Sequence, residues 1–113
     1  MVVEDDEEIR ATLRDVLEAE GYEVHTAPNG KEAIELLPDV PRPCVMLVDL
    51  MMPVMSGWDF RRAQREDPDL ATIPVVVMTA ARNVDAQALQ ADEYVWKPVD
   101  VERLLQLVDR YKS

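Results

Sequence analysis

Short apolar runs alternate with amphipathic helical patterns along the whole chain, and this alternation constrains the fold more than any other feature. Five runs are typical of strands: Met1–Val3, Tyr22–Thr26, Cys44–Val48, Val75–Met78 and Tyr94–Trp96. A helical pattern after each run predicts βαβ units, in which successive strands are parallel. Because short crossovers between parallel strands are right-handed, we expect helices on both faces of the sheet. The sequence therefore predicts a three-layer, doubly wound α/β fold with a five-stranded parallel sheet.

Capping residues and helix breakers predict where the helices begin and end. Gly21 is placed to end the first helix, whose apolar face includes Leu13 and Leu17. The predicted starts are Asn29 or Gly30 for the second helix, Ser56 for the third and Asp100 for the last. A short fourth helix fits within residues 84–90.

Length and charge limit the classes of function. The chain has 113 residues, which fits one domain over residues 1–113. Its net charge of −11 disfavours direct binding of nucleic acid or an anionic membrane. Cys44 is the only cysteine, which excludes an intrachain disulfide, and no apolar run reaches the length of a membrane span. We expect a soluble cytoplasmic domain.

Polar residues follow the predicted strands at their carboxyl ends, where ligands bind in sheets of this kind. The first run is followed by Glu4–Asp6, the third by Asp49, the fourth by Thr79 and the fifth by Lys97. Carboxylates that converge at one edge repel each other unless a cation joins them, and such oxygen ligands suit Mg²⁺. A lysine and a hydroxyl beside them are typical of a phosphoryl site. Asp49 is central in this group and can act as the nucleophile that forms an aspartyl phosphate.

These residues give the chain a resemblance to the receiver domains of two-component response regulators. The matching segments are Val2–Asp6, Asp49–Pro53 with Gly57 after it, Met78–Ala80, and Tyr94 with Lys97–Pro98. They occur in the family's order, each at a predicted strand end, and the resemblance covers essentially the whole chain. It implies a flavodoxin-like, CheY-like fold with strand order 2-1-3-4-5.

The resemblance also implies the ligands of the metal. Asp49 is the phosphoacceptor, and Glu4 and Asp5 hold Mg²⁺, Asp5 directly and Glu4 through water. Asp5 and Asp6 are the alternative pair, but the separation between Asp5 and Asp49 matches the family when Glu4 and Asp5 are chosen. Met51 offers its backbone carbonyl to the metal.

Other residues contact the phosphoryl group or respond to it, by the same resemblance. Lys97 pairs with the phosphoryl group, its bond to Pro98 is expected to be cis, and Thr79 and Ala80 also bind phosphoryl oxygens. Thr79 and Tyr94 form a switch pair, in which the hydroxyl moves toward the phosphoryl group and the ring turns inward. The implied partner is a sensor histidine kinase or phosphotransfer protein that donates the phosphoryl group. The implied function is a signalling domain and not a turnover enzyme.

Two segments depart from the family pattern. The first strand is short, which either lowers stability or places the true start upstream. The segment between Thr79 and Lys97 is shorter by about one helical turn, and Ala91–Glu93 replaces the usual Gly-Ala before the fifth strand. We therefore expect a fourth helix that is short, shifted or partly unwound, at the surface that reports phosphorylation in the family.

Two other functions compete with the phosphorylated receiver. One is a receiver-like scaffold that binds partners without phosphate; the shortened segment after Thr79 favours it, and the complete set of Asp49, Thr79 and Lys97 opposes it. The other is a metal-dependent phosphohydrolase. Leu50 and Met51 follow Asp49, without the second nearby aspartate that phosphatases with an aspartyl nucleophile carry.

A slow self-dephosphorylation is predicted from the residues that flank the path of water to the phosphoryl group. These are Met51 and Ala81, and neither can orient an attacking water. Replacing either with a polar residue should shorten the lifetime of the phosphoprotein, measured by the decay of the phosphorylated mass. A short-lived wild-type phosphoprotein whose lifetime does not change in these variants would contradict the prediction.

Overall fold

The computed structural model of the chain describes residues 1–50, 57–80 and 92–111. Its strands are β1 (Val2–Val3), β2 (Thr26–Ala27), β3 (Met46–Asp49), β4 (Val75–Thr79) and β5 (Glu93–Trp96). They form one sheet in the order β2-β1-β3-β4-β5, and every neighbouring pair is parallel. This architecture confirms the predicted fold class and the strand order that the resemblance implied.

Four α-helices are present in the described residues. They are α1 (Glu7–Ala19), α2 (Gly30–Leu36), α3 (Gly57–Glu66) and α4 (Val101–Arg110), and a 3₁₀ turn (Leu37–Asp39) follows α2. The helix α4 is the last of the predicted helices. The short helix expected within residues 84–90 and the expected cap at Ser56 both lie outside the described residues. None of these four helices combines the length and the apolar character that crossing a membrane requires.

The apolar residues of the central strands are divided between two cores, one on each face of the sheet. In β4, Val75 and Val77 pack with residues of α2 and α3, whereas Val76 and Met78 pack with residues of α1 and α4. A strand that is covered on both faces needs apolar residues at successive positions, which explains the unbroken apolar runs of β3 and β4. The three layers follow from this arrangement.

The prediction for the second strand was wrong in its extent. It placed the strand at Tyr22–Thr26, whereas β2 consists of Thr26–Ala27. The reason is that β2 lies at the edge of the sheet and pairs only with β1, which offers two residues. Val2 pairs with Thr26 and Val3 with Ala27. The alternating residues before Thr26 are therefore not paired with residues of β1. The shortness of β1 therefore limits its neighbour as well.

The other strands lie close to their predicted positions. β3 begins at Met46, later than the predicted Cys44, and it includes Asp49. Its register with β4 pairs Met46 with Val75, so the two strands begin together. β4 comprises the predicted run Val75–Met78 together with Thr79, at which it ends.

Side-chain caps define the helix starts. The Asn29 side chain accepts from the N–H of Glu32 at 2.9 Å, and the Asp100 side chain accepts from the N–H of Glu102 at 3.0 Å, which confirms both predicted caps. Asp6 caps α1 by accepting from the N–H groups of Glu8 and Ile9. Each cap satisfies N–H groups that the first helical turn leaves without a backbone partner.

Gly21 ends α1 as predicted, in the left-handed conformation with φ of 91°. Its N–H donates to the carbonyl of Glu18, and the N–H of Tyr22 donates to the carbonyl of Leu17. This pair of bonds is the Schellman motif, in which a residue with positive φ follows the helix.

Side-chain burial corrects two further expectations. The apolar character of Trp96 predicts a packing residue, but 51% of its surface is exposed, although its neighbour Val95 in the same strand is buried. A lone cysteine such as Cys44 is predicted to be a small buried apolar residue, and it is half-buried. Trp58 is also predicted to pack, but its side chain lies outside the described part of the chain.

Gln64 is a buried polar residue that the sequence analysis did not identify. Its amide nitrogen donates to the carbonyls of Leu70 and Ile73 at 2.8 and 2.9 Å, and its amide oxygen accepts from Arg61 at 2.7 Å. These bonds satisfy carbonyls in the connection from α3 to β4 and so fix where β4 begins.

The replacement Gly21→Ala should lower the free energy of unfolding by about 1 kcal/mol, because only the backbone conformation opposes the new methyl group. No heavy atom lies within 4 Å of the position that the added Cβ would take. Urea denaturation measures the change. Gly21→Asn is the matched variant and should cost less, since asparagine tolerates positive φ better than alanine. Equal stability of Gly21→Ala and the wild type would contradict the prediction.

Candidate functional site

The strand ends bring four predicted site residues to one edge of the sheet. Glu4 directly follows β1, Asp49 ends β3, Thr79 ends β4 and Lys97 directly follows β5. The register places these ends at similar heights, because Val3 pairs with Val48 and Asp49 with Met78. The N–H of Lys97 also donates to the carbonyl of Thr79 at 2.8 Å, which fixes the end of β5 beside that of β4.

Three carboxylates converge at this edge. One oxygen from each of Glu4, Asp5 and Asp49 lies within 4.8 Å of the others. Glu4 and Asp49 are buried, whereas Asp5 is exposed. Lys97 provides the positive charge: its Nζ lies 3.0 Å from Oε2 of Glu4 and 3.2 Å from Oδ2 of Asp49. The group therefore has a buried interior and an opening to solvent at Asp5.

Glu4 is held at several points. Its N–H donates to the carbonyl of Ala27 at 3.1 Å, and its Oε1 accepts from the N–H of Asp6 at 3.2 Å. Its carbonyl accepts from Nη1 of Arg10 at 2.9 Å. Its Oε2 is buried and forms the ion pair with Lys97, and among the described residues it has no hydrogen-bond partner beyond that contact.

Burial and mutual repulsion shift the ionisation of these groups. Burial, followed by the proximity of Asp49, raises the pKa of Glu4 from 4.5 to about 7. Burial also raises the pKa of Asp49, although Glu4 and Lys97 act in the opposite direction. Partial burial acts to raise the pKa of Asp5, but its interactions with Asp49 and Glu4 outweigh this and lower it. For Lys97, burial acts to lower the pKa, and the contacts with both carboxylates outweigh it, so the pKa is raised.

The donor set fits a hard divalent cation such as Mg²⁺. Three carboxylates supply oxygen ligands, and the buried Oε2 of Glu4 is an acceptor that lacks a hydrogen bond among the described residues. Asp6, the alternative partner of Asp5, uses its carboxylate to cap α1 and is not part of the cluster. Met51, whose carbonyl the resemblance added to the ligands, lies outside the described residues.

The other residues assigned to the phosphoryl group and the switch lie on β4 and β5 or directly after β4. Thr79 is buried, Ala80 is exposed and Tyr94 is half-buried. Tyr94 pairs with Val77 across β4 and β5, and Thr79 follows Val77 by two positions, so Thr79 and Tyr94 face the same side of the sheet. The bond between Lys97 and Pro98 is cis, as expected.

Arg10 is a site residue that the sequence analysis missed. It lies one turn into α1 and reaches back to the carbonyl of Glu4. The available signal was an arginine four residues after the capping Asp6 and two residues after the end of a run of acids. That spacing suggests an ordinary ion pair on a helix surface and does not reveal a bond to the preceding loop.

The profile of a known protein family matches residues 1–109, and its description is response regulator receiver domain. An uncharacterized 14.6 kDa protein in the sodA1 3′ region of Leptolyngbya boryana is 41% identical over 98% of this chain and 87% of its own length. The polar-differentiation response regulator DivK of Brucella anthropi is 34% identical over 98% of this chain and 93% of its own.

Among solved structures, the Vibrio cholerae chemotaxis protein CheY4 is similar to this chain with a TM-score of 0.88 and 30% identity. The match covers 98% of this chain and 95% of that one. The similarity of sequence and of structure thus extends over nearly the full length of both.

Glu4→Gln should stabilise the metal-free protein at about pH 8 by about 1–3 kcal/mol, because it removes a buried charge. The folded-state pKa of Glu4, about 7, lies above its ordinary 4.5. Its contribution to stability is therefore fully present below 4.5 and is lost as the pH rises through about 7. Urea denaturation in a chelator, from about pH 5 to about pH 8, should show a flatter pH dependence for the variant.

Glu7→Gln is the control, because it removes the same charge from an exposed residue in the first turn of α1. It should leave the pH dependence in that range nearly unchanged. If Glu4→Gln proves less stable than the wild type at the higher pH, the buried charge of Glu4 does not destabilise the folded protein and the prediction is wrong.

Proposed function

The chain belongs to the family of response regulator receiver domains, and we propose that residues 1–113 form one receiver that is activated by phosphorylation of Asp49. The family implies signalling by phosphorylation. The observation that carries the assignment to Asp49 is its position: it is buried, it is one of three converging carboxylates, and Nζ of Lys97 lies 3.2 Å from its Oδ2. That arrangement unites a nucleophilic carboxylate with the positive charge that a phosphoryl group requires.

Glu4, Asp5 and Asp49, with the carbonyl of Met51, would hold Mg²⁺. The bound ion would neutralise charge on the phosphoryl oxygens. The Oε2 of Glu4 supports this assignment, because it is a buried acceptor with no hydrogen bond in the described part of the chain.

In the transfer step, a carboxylate oxygen of Asp49 attacks the phosphorus of a phosphohistidine on the donor. The new O–P bond forms as the P–N bond breaks, and the imidazole leaves with the electron pair of that bond. Lys97 contacts the Asp49 carboxylate before the reaction and is placed to contact the phosphoryl group after it. The donor is a sensor histidine kinase or a phosphotransfer protein.

Phosphorylation adds negative charge at a fixed position, and Thr79 and Tyr94 respond to it. The Thr79 hydroxyl, together with Ala80, would bind phosphoryl oxygens at the end of β4. Tyr94 faces the same side of the sheet as Thr79 and is half-buried, so its ring can turn inward when that hydroxyl moves. The surface around the predicted fourth helix, β5 and α4 then changes its affinity for a downstream partner, and the signal passes without enzymatic turnover.

The location and the excluded partners are part of the same proposal. We place the receiver in the cytoplasm, where we expect the donor kinase to phosphorylate it. The net charge of −11 supports a protein partner and opposes direct binding of nucleic acid or an anionic membrane.

A scaffold that binds its partners without phosphate is the second candidate. The observation that favours it is the chain between Thr79 and Lys97, which is shorter than the family pattern at the surface where the signal is read. Mg²⁺ binding and Asp49 modification distinguish the two candidates, because the scaffold needs neither.

Incubation with acetyl phosphate and Mg²⁺ should add one phosphoryl group to the protein, and intact mass spectrometry measures it. Asp49→Ala should abolish the adduct, and omission of Mg²⁺ should strongly reduce it. Asp59→Ala is the matched control, because Asp59 lies in the first turn of α3 and outside the carboxylate cluster. Folded wild-type protein that gains no adduct would favour the scaffold.

A further inference from the structure

Arg10 lies shortly after a run of acids in the sequence, yet it binds a backbone carbonyl. Its Nη1 donates to the carbonyl of Glu4 at 2.9 Å. Five acids precede it, Glu4–Glu8, and Asp6 has the spacing that favours an ion pair on a helix. Among the described residues, however, Arg10 forms no ion pair, and Asp6 instead caps α1. The position of the Arg10 guanidinium therefore calls for an explanation other than pairing with a carboxylate.

The carbonyl of Glu4 lies between two residues of the carboxylate cluster. It belongs to the peptide unit that joins Glu4 to Asp5, and that unit is planar. A bond that fixes this carbonyl therefore restricts the directions in which both residues project. Both contribute carboxylate oxygens to the cluster with Asp49.

The backbone on either side of this peptide unit has little regular structure to hold it. The strand β1 before it has only two residues, and the N–H of Glu4 bonds to Ala27 of the equally short β2. After Glu4 the chain leaves the sheet and enters α1 at Glu7. The Arg10 side chain thus connects the loop to a helix of 13 residues, which is a firmer support than β1.

We propose that Arg10 is a positioning residue for the Mg²⁺ site. It orients the Glu4–Asp5 peptide unit so that both carboxylates face Asp49. Because it binds the carbonyl, it leaves the carboxylate oxygens available to the metal, whereas Lys97 contacts Glu4 Oε2 and Asp49 Oδ2 directly. This inference rests on the proposed function, which supplies the metal.

A positioning role and a purely electrostatic role predict effects of opposite sign. A positive charge near the site repels Mg²⁺, so removing that charge should tighten binding if charge is all that Arg10 contributes. If Arg10 positions the ligands, its removal should weaken binding, because groups that orient metal ligands typically affect affinity by about tenfold or more.

The test compares Arg10→Met with Arg14→Met in the full chain. Arg14 lies one turn further along α1, is exposed, and has Asp15 as its ion-pair contact at 3.9 Å, so both variants lose one positive charge from the same helix. Calorimetric titration with Mg²⁺ should give a dissociation constant about tenfold larger for Arg10→Met. Arg14→Met should bind as the wild type does or slightly tighter.

A second readout needs no metal. The N–H of Asp6 bonds to Oε1 of Glu4, so its hydrogen exchange reports the order of this loop in the metal-free protein. Exchange at Asp6 should be faster in Arg10→Met and unchanged in Arg14→Met. Arg10→Lys keeps the charge but has a shorter reach and one donor group in place of the planar fork, so it should fall between Arg10→Met and the wild type in both readouts.

The outcomes separate this inference from the proposed function. If the wild type binds Mg²⁺ and Arg10→Met matches Arg14→Met in both readouts, the positioning role is wrong and the receiver function stands. If folded wild type binds no Mg²⁺, both are wrong. If Arg10→Met does not fold, Arg10→Lys decides by the same two measurements, and wild-type behaviour in both would overturn the positioning role.

Discussion

The contact of Lys97 with Glu4 and Asp49 is the interaction on which the carboxyl edge of the sheet depends. Three carboxylates lie close enough to share one ligand, and two of them are buried, where repulsion between like charges is poorly screened. Lys97 offsets part of this repulsion at distances of 3.0 and 3.2 Å. In the free protein the single charge of Lys97 therefore leaves negative charge at this edge uncompensated. Binding of additional positive charge would lower the free energy of the cluster.

The parallel sheet makes this concentration of charge possible. Parallel strands direct all their carboxyl ends to one edge, so residues distant in sequence meet there without any long loop. The two apolar cores hold β3 and β4 from both faces, and these central strands carry Asp49 and Thr79. The strands that are packed on both faces therefore present Asp49 and Thr79, and shorter or edge strands present Glu4 and Lys97.

The sequence predicted the sheet, the helix caps and the grouping of Glu4, Asp49, Thr79 and Lys97, because these depend on local patterns and on the geometry common to parallel sheets. It misplaced β2, since the extent of an edge strand depends on its neighbour and not on its own alternation. It also predicted a packing role for Trp96, because apolar character alone does not show which side chains of a strand are covered. Arg10 was missed for a related reason: a contact with a backbone carbonyl leaves no pattern of residue types.

The two-residue strand β1 has a consequence for cooperativity. It is the link between β2 and the rest of the sheet, and Glu4 immediately follows it. Local fraying that opens β1 would displace Glu4 and release β2 together, so the integrity of the carboxylate cluster and the attachment of the β2 edge form one thermodynamic unit. A ligand that binds only the closed form stabilises that form by mass action. Binding of such a ligand at the carboxyl edge would then also protect β2 from local opening.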